Sequence, residues 1–390
     1  MARHPGGAPV IWSPADLVAA VRAAGEAGTP LRIQGRGHWL HGGVPRAPAT
    51  ALSVAALDGV VEYVPGDLVA TVQAGTTLAT LDAATREAGQ QLALAPYGTD
   101  DGSIGASVAT ASAAPLSLDG VAMRDLVLGL TLVTGTGDVV RVGGKVVKNV
   151  AGFDLVRLAT GSWGTLGVIT AVSLRLHARP AVDDLVEYLL EGPAGRWLPP
   201  LVALPVPVPL LVRQPPGEAP RLVARLAGSA SRAAAVRALL EGALRAGGGA
   251  VPPALPLDPA TWWPRLRTVP ETACALRWRT APSHAAGLFE QAAAAFPDAV
   301  LLLDPARGSV RVTGPAGSVG AMPRAPWGGT TLAQQVAAFR AGLGEALGPH
   351  ALAMAVDQGA LPPRAPTPLE LGVRRALDPL GLLNPPALQP

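Results

Sequence analysis

The chain has 390 residues, 49% hydrophobic and 15% charged, with a net charge of +3 at neutral pH. That length holds two or three domains, and that apolar content excludes a disordered chain. The small net charge, with no basic run interleaved with aromatics, excludes nucleic acid as a partner.

The first half alternates helices and strands. Ser13-Pro14-Ala15-Asp16 predicts a helix start, with a serine cap, proline at the first helical position and an acid in the first turn. Leu17, Val18 and Val21 supply its apolar stripe, and Gly25 or Gly28 ends it. Leu31–Gln34 is a short strand running into Gly35-Arg36-Gly37. Val60–Val64 and Leu68–Ala74 form a strand pair across the turn Pro65-Gly66-Asp67. Thr77 caps a helix over Leu78–Ala88, and Gln91–Leu94 is a strand leading to Pro96-Tyr97-Gly98. Ser103–Ala114, SIGASVATASAA, is small enough for a helix packed closely on backbone or ligand. Leu126–Val133 and Val139–Val142 read as a hairpin across Thr134–Asp138. Leu155–Thr160 is a short helix, Gly161–Gly167 a loop and Val168–Leu176 a strand.

Residues 181–365 are rich in Pro and Ala. Asp184–Leu190, Val300–Leu303 and Ser309–Thr313 read as strands, Ser231–Arg245 and Leu332–Leu347 as helices. The tail, Leu369–Asn384, returns to a helix and turn. Cys274 is the sole cysteine, which excludes an intramolecular disulfide and fits a reducing cytoplasm. The N-terminus lacks an apolar core of signal-peptide length. Leu198–Val212, interrupted by five prolines, is too short and too broken to span a bilayer.

Some residue types that the composition elsewhere avoids are concentrated in Gly143–Val172. The only two lysines are Lys145 and Lys148, and the only two asparagines are Asn149 and Asn384. A lysine ammonium and an asparagine amide do what the favoured arginine and alanine do not. Two phosphate motifs fail. Gly35-Arg36-Gly37-His38-Trp39-Leu40 lacks the third glycine of a dinucleotide fingerprint, and His41-Gly42-Gly43-Val44-Pro45 continues a helix poorly. Gly144-Lys145 lacks the hydroxyl residue of a P-loop. A loop that holds diphosphate through successive backbone N–H groups remains, and Gly35–Trp39 suits it. With Thr99–Gly105 and Gly161–Ile169, the small-residue loops suit a long cofactor lying extended between two lobes.

QGRGHW, PYGTDDGSIGASVATASA, MRDLVLGLTLVTGTGDVVRVGGKVVKNVAGFDLVRLATGSWGTLGVIT and LDPLGLLNP follow in order. This series resembles the FAD-binding pattern of the vanillyl-alcohol oxidase/PCMH-type flavoproteins, and within them the FAD-binding E subunit of glycolate oxidase. The resemblance covers residues 10–178 and 369–385. It implies an α+β protein: a PCMH-type FAD-binding domain of two lobes over residues 1–178, a smaller α+β cap over 181–365, and a segment, 366–390, that returns to the FAD domain.

It also implies FAD as cofactor, with Gly35, Arg36, Gly37, His38 and Trp39 wrapping the diphosphate. Tyr97, Gly98, Thr99, Ser103, Ile104 and Gly105 would line the flavin and ribityl side. Gly161, Gly164, Thr165 and Gly167 would form a second wall, with Val168 and Ile169 at the adenine end. Arg124 and Asp125 read as a structural ion pair. Lys145, Lys148 and Asn149 either fold their loop or touch ligand. His38 stands where related oxidases with a Gly-Gly-His loop attach the flavin, while most of the glycolate oxidase branch has a small hydroxyl residue and holds FAD noncovalently. No metal site is expected.

Trp163 occupies a position that carries a carboxylate in the catalytic D subunit, and the His-Gly-Asp-Gly run of that subunit and of D-lactate dehydrogenases is missing here. The implied activity is flavin-mediated electron transfer within a complex that oxidises a small 2-hydroxy acid. Its partners would be a catalytic flavoprotein subunit and an iron–sulfur subunit, and its location cytoplasmic or peripheral to the inner membrane through them. A stand-alone 2-hydroxy-acid dehydrogenase and a non-catalytic scaffold are the competing readings. No catalytic base is identified. His284, after Pro282-Ser283, is a candidate base but reads first as a helix start. Arg277 and Arg279, flanking Trp278, share one strand face, where they read first as solvated residues and second as a carboxylate clamp.

Overall fold

The computed structural model describes residues 10–37, 49–118, 121–144, 154–247, 251, 253–268, 273–315, 353–358 and 368–384. Two compact units divide the chain: residues 1–114, 121–179 and 362–390 form the first, and 115–120 and 180–361 the second.

The first unit opens with α1 (Pro14–Glu26), whose Ser13 hydroxyl accepts from the Asp16 amide as an N-cap. β1 (Leu31–Gln34) pairs in parallel with β2 (Thr50–Ser53). Leu17, Val21, Leu31, Leu52, Val54 and Leu57 bury one small core around this pair. β3 (Val60–Val64) and β4 (Val69–Gln73) pair antiparallel across the 3-10 turn Pro65–Asp67. α2 (Leu78–Arg86) starts at Thr77, whose hydroxyl accepts from the Thr80 amide. β5 is only Gln90–Gln91, so the strand expected over Gln91–Leu94 is not formed beyond Gln91. Ala93 and Leu94 turn into the interior instead, where burial outweighs continued pairing.

α3 (Ile104–Ala109) and α4 (Met123–Leu126) precede the hairpin of β6 (Val127–Val133) and β7 (Val139–Gly143). α5 (Leu155–Ala159) then leads to β8 (Val168–Arg175) and to β9 (His177–Ala178), which pairs with β5. The antiparallel order β3-β4-β8-β6-β7 makes a second lobe. Its core packs Val72, Leu130, Val172 and Leu174 of the sheet against Leu81, Ile104, Val108 and Val156 of the helices.

The second unit is one eight-stranded antiparallel sheet with helices. Its elements in chain order are β10 (Val182–Leu189), α6 (Ala194–Val202), β11 (Leu210–Gln214), β12 (Arg221–Gly228), α7 (Ala230–Ala246), β13 (Leu255–Leu257), α8 (Pro259–Arg267), β14 (Ala273–Arg279), α9 (Ala285–Ala295), β15 (Val300–Asp304), β16 (Ser309–Pro315) and β17 (Ala353–Gln358). The strands run β13-β10-β12-β11-β15-β16-β14-β17. Val186 and Tyr188 of β10 and Leu222, Ala224 and Leu226 of β12 bury in one core with Trp197, Leu240 and Phe289 of the helices. Leu185, Leu211, Val223 and Leu302, on the opposite face, pack on Leu116 and on Leu266 of α8.

Residues 115–120 lie inside the sequence of the first unit yet belong to the second. Arg225 binds Leu116 there. Its Nη1 donates to the Leu116 carbonyl at 3.0 Å, while its Nε and Nη2 grip both Asp183 oxygens at 2.5 and 2.6 Å. Pro199 and Pro200 do not break α6 but lie within it. At nine residues it is far below a membrane span, and no described helix is long and apolar enough to cross one.

α10 (Pro368–Leu377) begins the tail, which docks on the first unit. The buried Asp378 carboxylate accepts from the Leu382 and Leu383 amides, both at 2.9 Å, and closes the turn after the helix. Leu31 donates to the Leu382 carbonyl at 2.7 Å, and Asn384 donates to the Leu31 carbonyl at 2.9 Å. The tail thereby adds a parallel bridge to β1. The helix expected over Leu332–Leu347 lies outside the described residues.

Candidate functional site

The glycine-rich segments of the first unit meet on one platform, the segment from Ser103 to Ala111. The first arrives from β1. Gly35 lies so close to Ser103 that a Cβ would overlap the Ser103 Oγ, with the Ala106 Cβ also at 3.4 Å. Gly37 has φ +91°, a region that favours glycine. Arg36 turns away into the protein: its Nε donates to the Gly75 carbonyl at 2.9 Å and its Nη2 pairs with Asp58 at 2.6 Å. Its guanidinium therefore anchors the loop to the turn after β4. Burial on β1 lowers the pKa of Arg32 from its ordinary value.

The second segment supplies the platform. Tyr97 is buried, and its amide donates to the Ser112 hydroxyl at 2.8 Å. Gly98 has φ +101° and open space where a side chain would stand. The Thr99 hydroxyl is hydrogen-bonded to the Asp101 carboxylate. The Ile104 and Gly105 amides donate to the carbonyls of Thr76 and Ala74, both at 2.8 Å. A Cβ on Gly105 would sit 2.6 Å from the Ala74 Cβ and 2.8 Å from its carbonyl. The start of α3 is thus pressed on the end of β4 with no room for a methyl group. The Ser103 Oγ is buried and has no hydrogen-bond partner among the described residues.

The third segment closes on the far end of α3. The amides of Gly161 and Trp163 donate to the Val108 and Ala109 carbonyls at 3.0 and 2.8 Å. Gly161, Trp163 and Gly164 all have positive φ, at +87°, +56° and +70°. The fully buried Thr165 donates its hydroxyl to the Ser162 carbonyl at 2.7 Å, which fixes the turn. A Cβ on Gly167 would meet the Leu132 Cδ1 at 2.6 Å, and Val168 and Ile169 begin β8 as buried residues.

The structure therefore brings Gly35, Ser103, Gly105, Gly161 and Gly164 onto one framework. His38, Trp39, Lys145, Lys148 and Asn149 lie outside the described residues. Arg124 and Asp125 form an exposed contact at 3.8 Å, and Asp125 accepts from the Ala122 amide at the start of α4, a structural role. In the second unit His284 ends a 3-10 turn that leads into α9. Arg277 lies opposite Arg311 of β16, and Trp278 between Arg277 and Arg279 is buried on the other face. Among the described residues no three His, Cys, Asp or Glu side chains come together as metal ligands.

One residue absent from the sequence-based site is central. Asn384 Oδ1 accepts from the Ile33 amide at 2.8 Å, and its Nδ2 donates to the Trp163 carbonyl at 2.8 Å. The signal was present, since Asn384 is one of two asparagines in the chain, but its partners are 351 and 221 residues away.

Residues 11–143 match the family described as an FAD binding domain. Over 154 residues the chain is 44% identical to "Glycolate oxidase subunit GlcE" of Escherichia coli (strain K12), covering 39% of this chain and 43% of that protein. It is 33% identical over 164 residues to "Glycolate oxidase subunit GlcD" of Bacillus subtilis (strain 168), covering 42% and 35%. It is 35% identical over 180 residues to "D-lactate dehydrogenase" of Archaeoglobus fulgidus, covering 46% and 40%. In each case the match spans less than half the length of the curated relative. A crystal structure of p-cresol methylhydroxylase with substrate bound superposes with a TM-score of 0.71 at 13% identity, over 97% of this chain and 88% of the other. Alkyldihydroxyacetonephosphate synthase superposes at 0.68 over 96% and 76%, also at 13% identity. At such identity these two likenesses establish the fold. Residues 11–143, less than half of the chain, are thus similar to the FAD binding domain family, and the fold is like that of p-cresol methylhydroxylase.

Proposed function

We propose that the chain is the FAD-binding subunit of a glycolate, or related 2-hydroxy-acid, oxidase or dehydrogenase complex. The observation that carries this reading is the 44% identity over 154 residues to a protein named as a glycolate oxidase subunit. The residues present fit FAD. The buried Ser103 hydroxyl has no hydrogen-bond partner among the described residues, and it lies so close to Gly35 that no side chain fits there. An uncompensated hydroxyl beside bare backbone suits a polar, extended ligand.

In this reading Gly35, Arg36 and Gly37 present backbone groups to the diphosphate, with His38 and Trp39 continuing the loop. Tyr97, Gly98, Thr99, Ser103, Ile104 and Gly105 line the flavin and ribityl side. Gly161, Gly164, Thr165 and Gly167 make the opposite wall, and Val168 and Ile169 serve the adenine end. Bound FAD supplies the acceptor for the hydride that leaves the hydroxyl-bearing carbon of the substrate. The chain's own contribution is positional. Its positive-φ glycines let backbone approach the ligand, and the hydrogen bonds from Gly161 and Trp163 to α3 hold the walls apart at a fixed distance.

No base for the substrate hydroxyl is assigned. The missing His-Gly-Asp-Gly run favours a subunit that works with a catalytic flavoprotein subunit and an iron–sulfur subunit, and any membrane association would come through them. The absorption spectrum of the purified chain with added FAD is the test. A yellow protein that glycolate alone does not reduce supports the reading. Reduction by glycolate alone identifies a stand-alone dehydrogenase, and a colourless protein overturns FAD binding altogether. Acid denaturation that leaves all flavin in the supernatant would exclude a covalent bond to His38.

A further inference from the structure

We infer that Asn384 is a positioning residue for the cofactor: it locks the spacing between the β1–Gly35 loop and the Gly161–Gly167 loop. The inference rests on the FAD-binding reading above and deepens it. Three hydrogen bonds converge on this one residue. Its backbone amide donates to the Leu31 carbonyl at 2.9 Å, Oδ1 accepts from the Ile33 amide at 2.8 Å, and Nδ2 donates to the Trp163 carbonyl at 2.8 Å. Ile33 lies two residues before Gly35, and Trp163 directly precedes Gly164. The side-chain amide therefore bridges the roots of both loops, with a donor on one side and an acceptor on the other.

Few other side chains can do this. A carboxylate lacks the donor, and a lysine lacks the acceptor. Glutamine carries both groups but is one methylene longer, and it lacks asparagine's tolerance of the left-handed region, where Asn384 sits at φ +43°. The surroundings hold Asn384 in that state. Asp378 closes the preceding turn onto the Leu382 and Leu383 amides, and Leu383 is buried in the core of the β1–β2 lobe. Gly164 completes the arrangement, because a Cβ there would stand 2.7 Å from the Asn384 Nδ2. The positive φ of Gly164 and the absence of its side chain are thus tied to the clamp as well as to the ligand.

The test uses the full chain, stripped of flavin and titrated with FAD by fluorescence quenching, with amide hydrogen exchange on the same samples. Asn384→Gly suits the backbone angle and removes both side-chain bonds. It is expected to weaken FAD binding about tenfold, as the loss of two modest hydrogen bonds would, and to speed exchange of the Ile33 amide. Asn384→Asp keeps the acceptor for Ile33 but not the donor to Trp163. It is expected to keep the Ile33 amide slow and still weaken FAD. Val21→Ala, which opens a cavity in the same small core without touching the clamp, controls for general loss of stability and should leave FAD affinity within about twofold. Wild-type affinity in both Asn384 variants, or equal weakening by Val21→Ala, overturns the clamp while leaving FAD binding intact. A wild-type chain that takes up no FAD instead overturns the underlying reading, and the clamp's role with it.

Discussion

Gly164→Ala measures how tightly the third loop is built against the tail. At φ +70° an alanine costs about 1–2 kcal/mol in the left-handed region. Its Cβ, 2.7 Å from the Asn384 Nδ2, also displaces the donor from the Trp163 carbonyl, which adds about 0.5–1.5 kcal/mol. Against this, alanine restricts the unfolded chain and returns about 0.4–1 kcal/mol. Gly28→Ala isolates the backbone part. Gly28 has φ +60° and nothing within 4 Å of the added carbon, so it carries the same strain and the same unfolded-state gain without the collision. Urea unfolding of the first unit should therefore show Gly164→Ala to be about 1 kcal/mol more costly than Gly28→Ala. In an Asn384→Gly background the excess should vanish, because the atom it strikes is gone. Equal costs for the two alanines, or Gly164→Ala and Asn384→Gly effects that add to within about 0.3 kcal/mol, would refute the contact. Gly164→Val, with a β-branched side chain in the same wall, should abolish flavin retention, and full occupancy would count against the placement.

Four further outcomes follow from the same geometry. Gly105→Ala should cost the first unit about 1–3 kcal/mol by overpacking, since its Cβ meets the unyielding backbone of Ala74, and an unchanged urea midpoint would contradict that. Asp378→Ala strips the Leu382 and Leu383 amides of their acceptor and should cost about 2–4 kcal/mol, read as faster proteolysis of the tail. Arg225→Ala should cost the second unit about 3 kcal/mol, the low end for a buried pair because the Asp183 side chain stays 35% exposed, and a neutral result would show that Leu116 is held by other contacts. Removing FAD should lower the stability of the first unit by about 2.7 kcal/mol relative to FAD at a hundredfold excess over its Kd, with no shift in the second unit's transition.

Much of the first unit was legible because its signals are local. The Ser13 and Thr77 caps, the Pro65–Asp67 turn and the 134–138 hairpin each depend on residues a few positions apart, and each forms where those residues stand. The glycine-rich segments could likewise be found one by one, because a positive φ or a close backbone approach leaves a local mark in residue type. Gln91–Leu94 misled because its apolar run served burial rather than pairing, a choice made by what the chain packs on.

What the sequence could not express is which separated segments share a framework. That Gly35 abuts Ser103, that Gly161 bonds to α3 and that Arg36 spends its charge on Asp58 and Gly75 depend on contacts between residues far apart in the chain. The same holds for residues 115–120, which leave the unit surrounding them in sequence and whose Leu116 carbonyl is bound by a buried arginine on β12. Asn384 shows the division most sharply. Its rarity marked it as unusual, but a hydrogen bond spanning 351 residues has no local pattern, and only the packing of Leu383 into the first lobe sets its amide between Ile33 and Trp163.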